Sequence, residues 1–318
     1  MTADTAPLTR IIDHEVAEAQ PSRIWYALRR DPSFWIGSIG VVTIVGLAIL
    51  APLVAPHDPT QIFKDGTSAT GDPLPPSARF PLGTDSLGRD EASRLLYGAR
   101  TSLTVGIVAN LLATIIGVTI GSVAGFVGDR RIRFGLPLGR EVTIPLPVES
   151  ILMRFTDAVL SFPILLLAIA LVSIIGASLE LVTVVIAAVL WTGIARISYS
   201  RLVVLREAEF VMAARAVGVA PRRLLTRHIL PHLTSIIIVY ATLGIAATIL
   251  FEATLAFLGV GVPLPTPTWG QMISQDVGYY QTDPRVVILP GLAIMVTILA
   301  FNLLGDALAD AFDPHQWR

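Results

Sequence analysis

Residues 233–258 read LTSIIIVYATLGIAATILFEATLAFL, and Glu252 is the single charged residue in this run. A helix needs about 20 predominantly apolar residues to cross the roughly 30 Å hydrocarbon core of a bilayer. The run is long enough and apolar enough to do so. It therefore predicts a membrane-spanning helix rather than one element of a soluble core.

Four further runs are free of charged residues or nearly so: 34–55, 101–128, 158–195 and 286–304. The run 158–195 is too long for one span, and Gly176, Ser178 and Glu180 interrupt it. It therefore predicts two helices joined by a tight turn. Together the runs predict an all-α polytopic membrane protein with about six transmembrane helices.

Composition agrees with a membrane class. Hydrophobic residues make up 53% of the chain and charged residues 15%, and the mean hydropathy is +0.69. Such a chain cannot surround one core with a water-facing surface. The net charge of -1 gives no indication of a nucleic-acid partner, and the absence of cysteine excludes disulfides and Cys-ligated zinc.

Arginine placement predicts the orientation, because short loops rich in Arg and Lys stay in the cytoplasm. Between the second and third spans, and between the fourth and fifth, lie Arg130, Arg131, Arg133, Arg140, Arg154, Arg196, Arg201, Arg206, Arg215, Arg222, Arg223 and Arg227. Both termini of this inner-membrane protein are therefore expected in the cytoplasm. Segment 57–100 is expected outside, although it holds Lys64, Arg79, Arg89, Arg94 and Arg100, because its length and acidic residues dilute that signal.

These spans divide the chain into predicted segments. They are a cytoplasmic N-terminal segment 1–33, a first transmembrane helix 34–56, an extracytoplasmic segment 57–100, a five-helix domain 101–310 with a cytoplasmic loop 207–231, and a cytoplasmic tail 311–318. The first span is interpreted as a retained anchor rather than a signal peptide. Aromatic and basic residues between Arg23 and Trp35 fit either an interfacial helix or an aromatic belt ahead of the span.

The sequence lacks the common catalytic and metal motifs. A phosphate-binding loop needs a Gly-Lys-Ser/Thr sequence, whereas the only lysine, Lys64, lies between Phe63 and Asp65. His228 and His232 are four residues apart, but Pro231 disrupts a helix there and no third ligand is near in sequence. We expect no catalytic residues, no metal and no cofactor.

The loop between the fourth and fifth spans carries the clearest pattern, EAEFVMAARAVGVAPRRLLTRHILP from Glu207 to Pro231. A short amphipathic helix is predicted by the apolar residues at helical spacing, which are Phe210, Ala213, Ala214 and Val217. Gly218 suits the left-handed position that ends a helix, and Pro221 suits the first turn of the next. The stripe fits either a partner's groove or the underside of the chain's own bundle.

Ala213-Ala214-x-x-x-Gly218, followed by Leu230-Pro231, resembles the EAA loop of binding-protein-dependent ABC importer permeases. Met212 departs from the acidic first residue of that pattern, and His228 departs from its usual isoleucine. The resemblance implies contact with a cytoplasmic ATPase through Glu209, Phe210, Ala213, Ala214, Arg215, Val217, Gly218, Leu230 and Pro231.

Three further stretches are similar to the second permease subunit of the dipeptide, oligopeptide and nickel branch: FPLGTDSLGRDEASRLLYGARTSL (80–103), LAFLGVGVPLPTPTWGQM (255–272) and PGLAIMVTILAFNLLGDALADAFDP (290–314). The resemblance implies a type I permease fold, peptide cargo, a homologous second permease, ATP-binding subunits and an extracytoplasmic solute-binding protein. Nickel chelates, glutathione and haem-like cargo use the same machinery. The loop 129–150 is longer than this branch usually carries, and an ordered partner contact and a floppy insertion both fit it.

Two carboxylates are candidates for lining a transport path, because charges within spans are functional hypotheses by default. Glu252 fits either that role or a bond to a neighbouring helix, and Asp157, beside Arg154, fits an end-of-helix charge as well. Pro163 and Pro290 are expected to kink their spans. A gradient-driven transporter would show inverted repeats and buried ionisable pairs, and a membrane enzyme would show a nucleophile or metal cluster; the sequence pattern indicates neither.

Overall fold

The computed structural model describes residues 21–136 and 140–312, and it describes side-chain surroundings for 24–129 and 146–312. Residues 1–20 of the predicted N-terminal segment, residues 137–139 of the loop 129–150, and residues 313–318 of the predicted tail lie outside the described residues.

The described residues form helices and one hairpin. In chain order they are α1 (Pro21–Arg30), α2 (Pro32–Val54), α3 (Glu91–Val127), β1 (Asp129–Leu136), β2 (Arg140–Pro147), α4 (Val148–Leu160), α5 (Ile164–Ile175), α6 (Leu179–Arg206), α7 (Glu209–Ala216), α8 (Pro221–Leu224), a π-helical turn (Leu225–Ile229), α9 (Leu230–Phe257), α10 (Trp269–Asp276), a 3-10 turn (Val277–Tyr279) and α11 (Arg285–Phe312). Five stretches are long and apolar enough to cross a membrane: α2, α3, α6, the continuous stretch α8–α9, and α11. The bent pair α4–α5 makes up to six, so the prediction of an all-α protein with about six spans is confirmed.

Helix α3 begins earlier than the charge-free run indicates. The Asp90 side chain accepts a hydrogen bond from the Ser93 amide at 2.9 Å and caps the helix at Glu91. The predicted boundary at residue 101 therefore falls inside a helix, whose 37 residues extend about 55 Å at the helical rise. A charge-free criterion misses the first turns because they are polar and lie outside the apolar stretch.

The predicted third span is not one gently kinked helix. Helices α4 and α5 meet at an angle of 88°, and Pro163 stands at the break. Proline lacks an amide hydrogen and disfavours the helical conformation of the residue before it, here Phe162, so α4 ends and α5 begins anew. The expected turn after α5 is confirmed, since Gly176 has φ +100° and Ser178 caps α6.

Small residues allow the long helices to approach closely, as in many membrane bundles. A Cβ atom added at Gly117 of α3 would lie 2.6 Å from the carbonyl oxygen of Trp191 in α6. Likewise, a Cβ added at Gly37 of α2 would lie 2.6 Å from the amide nitrogen of Leu304 in α11. Larger side chains would force these backbones apart, so the glycines set the helix spacing.

The loop 129–150 contains an antiparallel hairpin. Strands β1 and β2 pair from Asp129 opposite Pro147 to Leu136 opposite Arg140. The Asp129 carboxylate closes the base by accepting hydrogen bonds from Ser150, at 3.1 Å from the amide and 2.6 Å from the hydroxyl. These bonds lower the pKa of Asp129. The backbone of this loop is thus a hairpin, and a partner contact of the loop stays a prediction.

Two ends of the bundle carry the features that bear on function. One end, here called the cap, consists of residues 57–90 and 258–284, which precede α3 and α11. The other end, here called the coupling loop, consists of residues 207–231 between α6 and α9. Helices α6 and α9 run between the two ends.

Candidate functional site

The coupling loop folds as its sequence predicts. Helix α7 spans Glu209–Ala216, and Val217 lies just after it as the C-terminal cap. Gly218 has φ +79°, and Pro221 is the first residue of α8. The predicted left-handed glycine and the predicted proline at a helix start are both confirmed, and both act through the local backbone alone.

One face of α7 packs against the chain's own bundle. Val211 is completely buried in an apolar cluster, and Ala214 packs partly against it. The other buried members of this cluster are Leu202, Leu224, Ile229 and Leu233. Two positions three residues apart therefore anchor the helix, and Ala214 belongs to this anchoring side rather than to the free side.

The opposite face of α7 is open. The most exposed apolar side chains are Met212, at 51%, and Val217, at 81%, and Ala213 lies exposed between them. Glu209 and Arg215 are exposed too. The predicted stripe is thus divided between the two faces. Ala213 and Val217 are exposed and available to a partner, whereas Ala214 is partly buried against the chain's own cluster. Sequence spacing missed Met212, which the orientation of the helix brings to the open face.

Phe210 lies between the two faces and contacts the start of α9. Its ring centroid is 4.9 Å from that of His232, with an angle of 46° between the planes. His232 is the third residue of α9 and is exposed on its other side. The loop helix therefore touches the next long helix directly through an aromatic pair.

Leu230 and Pro231 follow a π-helical turn. Pro231 has no amide hydrogen to donate to the carbonyl four residues earlier. The amide of Leu230 instead bonds to the carbonyl of Leu225, five residues back. Leu230 packs against the apolar cluster that also holds Val211, whereas Pro231 is exposed. The pair thus fixes where the regular helix α9 begins.

A groove of about 730 Å³ opens between α6, α9 and α11 at this end of the bundle. Its walls are mostly apolar, with Leu243 and Phe312 among them, and Arg201 and Tyr240 add polar groups. His232 forms part of the same wall. The ring that contacts α7 therefore also faces the groove.

The cap holds a buried group of charges that sequence reasoning did not identify. Asp85 and Arg94 are fully buried, with 3.2 Å between a carboxylate oxygen and the guanidinium Nε. Arg89 donates from its Nε to the same Asp85 carboxylate at 2.6 Å. Both arginines also donate to the Gln275 side chain, at 2.7 Å and 3.0 Å. The cluster thus joins the segment before α3, and the first turn of α3, to the end of α10.

Two further links join the halves of the cap. The Ser86 amide donates to Asp276 at 3.3 Å, and burial raises the pKa of Asp276 above the usual range of an aspartate. Arg285, at the start of α11, donates to the carbonyl of Leu74 at 2.9 Å and to that of Leu82. The charged motif at 85–94 was visible in the sequence, but its partners near 275 were not.

Glu252 is fully buried within the chain. The Ser102 hydroxyl of α3 lies 3.2 Å from its carboxylate, and the same hydroxyl accepts from the Trp269 amide at 3.3 Å. The carboxylate thus lies where α3, α9 and α10 meet. That contact fits the reading of a bond between helices, and a path-lining role for Glu252 stays a prediction.

Asp157 lies in α4 and is exposed, and its partner is Arg196 of α6 rather than Arg154. The Arg196 Nε lies 3.2 Å from the Asp157 carboxylate. This pair ties α4 to α6 near the break in the bent span. Across residues 21–136 and 140–312, no group of three or more His, Asp or Glu side chains is placed to hold a metal ion.

Comparison with known families agrees with this arrangement. Residues 117–318 match the family described as the binding-protein-dependent transport system inner membrane component. The chain belongs to this family of permeases. Residues 21–76 of the permease also match the N-terminal transmembrane domain of oligopeptide transport permease C. The two matches together cover α1, α2 and every element from α4 onward.

Characterised relatives are similar to the permease over almost its whole length. The dipeptide transport system permease protein of Alkalihalophilus pseudofirmus is 38% identical, over 90% of this chain and 87% of its own. The di/tripeptide transport system permease protein of Pseudomonas aeruginosa is 37% identical, over 91% and 90%. The glutathione transport system permease protein of Escherichia coli is 35% identical, over 91% and 89%.

A solved structure shows the same fold. A chain of the methionine ABC transporter in inward-facing conformations matches with a TM-score of 0.52 at 17% identity, over 69% of this chain and 97% of that one. The predicted type I importer permease fold is therefore confirmed. The family as a whole works with ATP-binding subunits and a solute-binding protein, and the permease is its membrane component rather than its catalytic one.

Proposed function

We propose that this permease forms, with a homologous second permease, the path of an ATP-driven importer for dipeptides or short oligopeptides. Separate or fused ATPase subunits bind the coupling loop, and a solute-binding protein delivers cargo to the cap. The chain cannot supply the ATP-binding step, because its single lysine, Lys64, is not in a phosphate-binding loop.

The open face of α7 carries this proposal. Met212, Ala213 and Val217 present an exposed surface of apolar and small side chains on a helix whose other side is anchored by Val211. A small residue at the centre permits close approach of a partner's groove, and the anchored side makes the helix a firm support for that contact. The permease relatives named for di- and tripeptides support the choice of cargo.

The proposed orientation places the coupling loop and both termini in the cytoplasm and the cap outside the inner membrane. Arginine-rich loops at 129–154 and 196–227 support it. Reporter fusions after Arg140 and Arg223 should report cytoplasm, and a fusion near Asp276 should report the outside. The opposite result at any of the three sites would contradict the six-span topology.

The exchange Ala213→Glu in the assembled transporter tests the coupling role. A bulky carboxylate at this exposed position leaves the chain's own packing intact but obstructs a close partner, and such overpacking costs about 1 to 3 kcal/mol before any buried charge is counted. We expect the ATPase subunits to dissociate on purification and peptide uptake to fall at least about tenfold.

Ala78→Glu is the matched control, because Ala78 is an exposed alanine in the cap. It should leave ATPase binding unchanged. Retention of both ATPase binding and uptake in Ala213→Glu would show that α7 is not the ATPase contact.

Glutathione is the second candidate cargo, favoured by the relative from Escherichia coli. Competition separates the two: with the cognate binding protein present, an excess of unlabelled dipeptide should abolish uptake of labelled dipeptide, and glutathione should not. Uptake of labelled glutathione together with no uptake of labelled dipeptide would assign the permease to glutathione import.

A further inference from the structure

The ring pair Phe210–His232 connects the coupling loop to the groove. Phe210 belongs to α7, the helix proposed to bind the ATPase, and is 39% exposed. Its ring centroid lies 4.9 Å from that of His232, which also forms part of the groove wall between α6, α9 and α11. One side chain therefore contacts both the loop helix and the groove.

The covalent route from α7 to α9 is less direct. It passes Gly218, whose φ of +79° is a left-handed conformation, and then the short helix α8 and the π-helical turn Leu225–Ile229. Such turns and single-turn irregularities can absorb a displacement locally. A packed ring pair absorbs less of it, because side chains in contact transmit strain.

The anchoring of α7 differs from this ring contact. Val211 and Leu233 are buried in one apolar cluster, which keeps α7 packed against the start of α9. Phe210 and His232 are each partly exposed and lie outside that cluster, so the loss of either ring opens no core. The cluster holds the two helices together, and the ring pair is the contact that also reaches the groove wall.

We infer that His232 is a positioning residue, which carries displacement of α7 through Phe210 into the start of α9 and so into the wall of the groove. This inference rests on the proposed function, since it needs an ATPase that moves α7. It names the side chains through which ATP-driven motion reaches the membrane part of the chain.

The test uses the full complex in proteoliposomes, with peptide uptake and ATP hydrolysis measured in the same sample. For His232→Ala and for Phe210→Ala, we expect the peptide transported per ATP hydrolysed to fall about threefold to tenfold, with the ATPase subunits still bound. The double variant should be no worse than either single one, because both remove the same contact.

His232→Phe keeps a ring at the contact and should restore the transport ratio. Phe257→Ala is the matched control, because Phe257 is a half-exposed ring at the opposite end of α9, outside the groove wall, and its loss should leave the ratio near its original value. If His232 served only the stability of the fold, His232→Ala would lower peptide uptake and ATP hydrolysis together, and His232→Phe would not restore them.

The outcomes separate this inference from the proposed function. An unaltered complex without ATP-driven peptide uptake contradicts the proposed function. If the unaltered complex is active and the His232→Ala and Phe210→Ala variants keep its transport ratio, the positioning role of His232 is wrong and the proposed function stands. The same holds if these variants lose the ATPase subunits.

Discussion

The two ends of this permease are built by opposite means. The cap is held by charges removed from water, with Asp85 and Arg94 fully buried and joined to a segment far along the chain. The coupling loop exposes Met212 and Val217 and rests on a small apolar cluster around Val211. The first arrangement penalises any opening, whereas the second leaves a surface free for a partner. The difference teaches that one end is closed on its own buried charges, whereas the other leaves apolar side chains open to contact.

Removing one partner of the buried cap pair should have the largest effect. Arg94→Ala leaves Asp85 buried without one of its cations, and breaking such a pair costs about 3 to 5 kcal/mol. We expect a lower midpoint of thermal unfolding for the purified permease and poor recovery from the membrane. Circular dichroism during heating measures this midpoint.

Arg79→Ala provides the control, because the pair Arg79–Asp65 is exposed on both sides. Exposed pairs contribute about 0 to 1 kcal/mol, so the midpoint should hardly move. Equal effects of the two substitutions would remove the contrast between buried and exposed charges in the cap.

Gly83 and Gly218 offer a comparison at the same backbone angle, since each has φ +79°. A Cβ at Gly83 would collide with the Leu74 carbonyl oxygen and with Arg285, whereas nothing lies within 4 Å of a Cβ at Gly218. Gly218→Ala should therefore lower the free energy of unfolding only by the left-handed strain, about 1 to 2 kcal/mol. Gly83→Ala should lower it by more. Denaturant titration of both variants measures the difference, and a larger cost at Gly218 would contradict it.

Val211→Ala and Met212→Ala separate anchoring from partner contact within α7. Val211 is buried and Met212 is half exposed, so truncating Val211 should cost about 1.5 to 3 kcal/mol and loosen the loop. Hydrogen exchange across 207–219 should accelerate for Val211→Ala, with the cap unchanged. Met212→Ala should leave exchange unaltered and weaken ATPase binding. The reverse pattern would show that the helix faces were assigned wrongly.

Asp157→Asn should have the smallest effect. The pair with Arg196 is exposed on both sides, so its loss should change the free energy of unfolding by less than about 1 kcal/mol. Thermal unfolding measures this change. A loss of peptide uptake without loss of stability would instead support the path-lining role predicted for Asp157.

Local signals in the sequence were reliable where the structure depends on neighbours in the chain. The stripe at Phe210 and Ala213, the left-handed Gly218 and the initiating Pro221 each act within a few residues, and the helices begin and end accordingly. Pro163 was expected to kink its span, and the structure has a complete break there. Its size, 88°, depends on how α4 and α5 pack and could not be deduced from one proline.

The sequence by itself determined the membrane class, the approximate number of spans and the helical pattern of the loop 207–231, because a helix in lipid needs an unbroken apolar run and satisfies its own backbone hydrogen bonds. Only the tertiary structure decided which side of α7 is free, since that depends on the cluster around Val211. It also decided the cap, where Ser86 and Asp276 meet across 190 positions of sequence. A buried charge needs a partner, and the fold can supply that partner from a distant part of the chain. Local spacing in the sequence therefore does not indicate which residues pair.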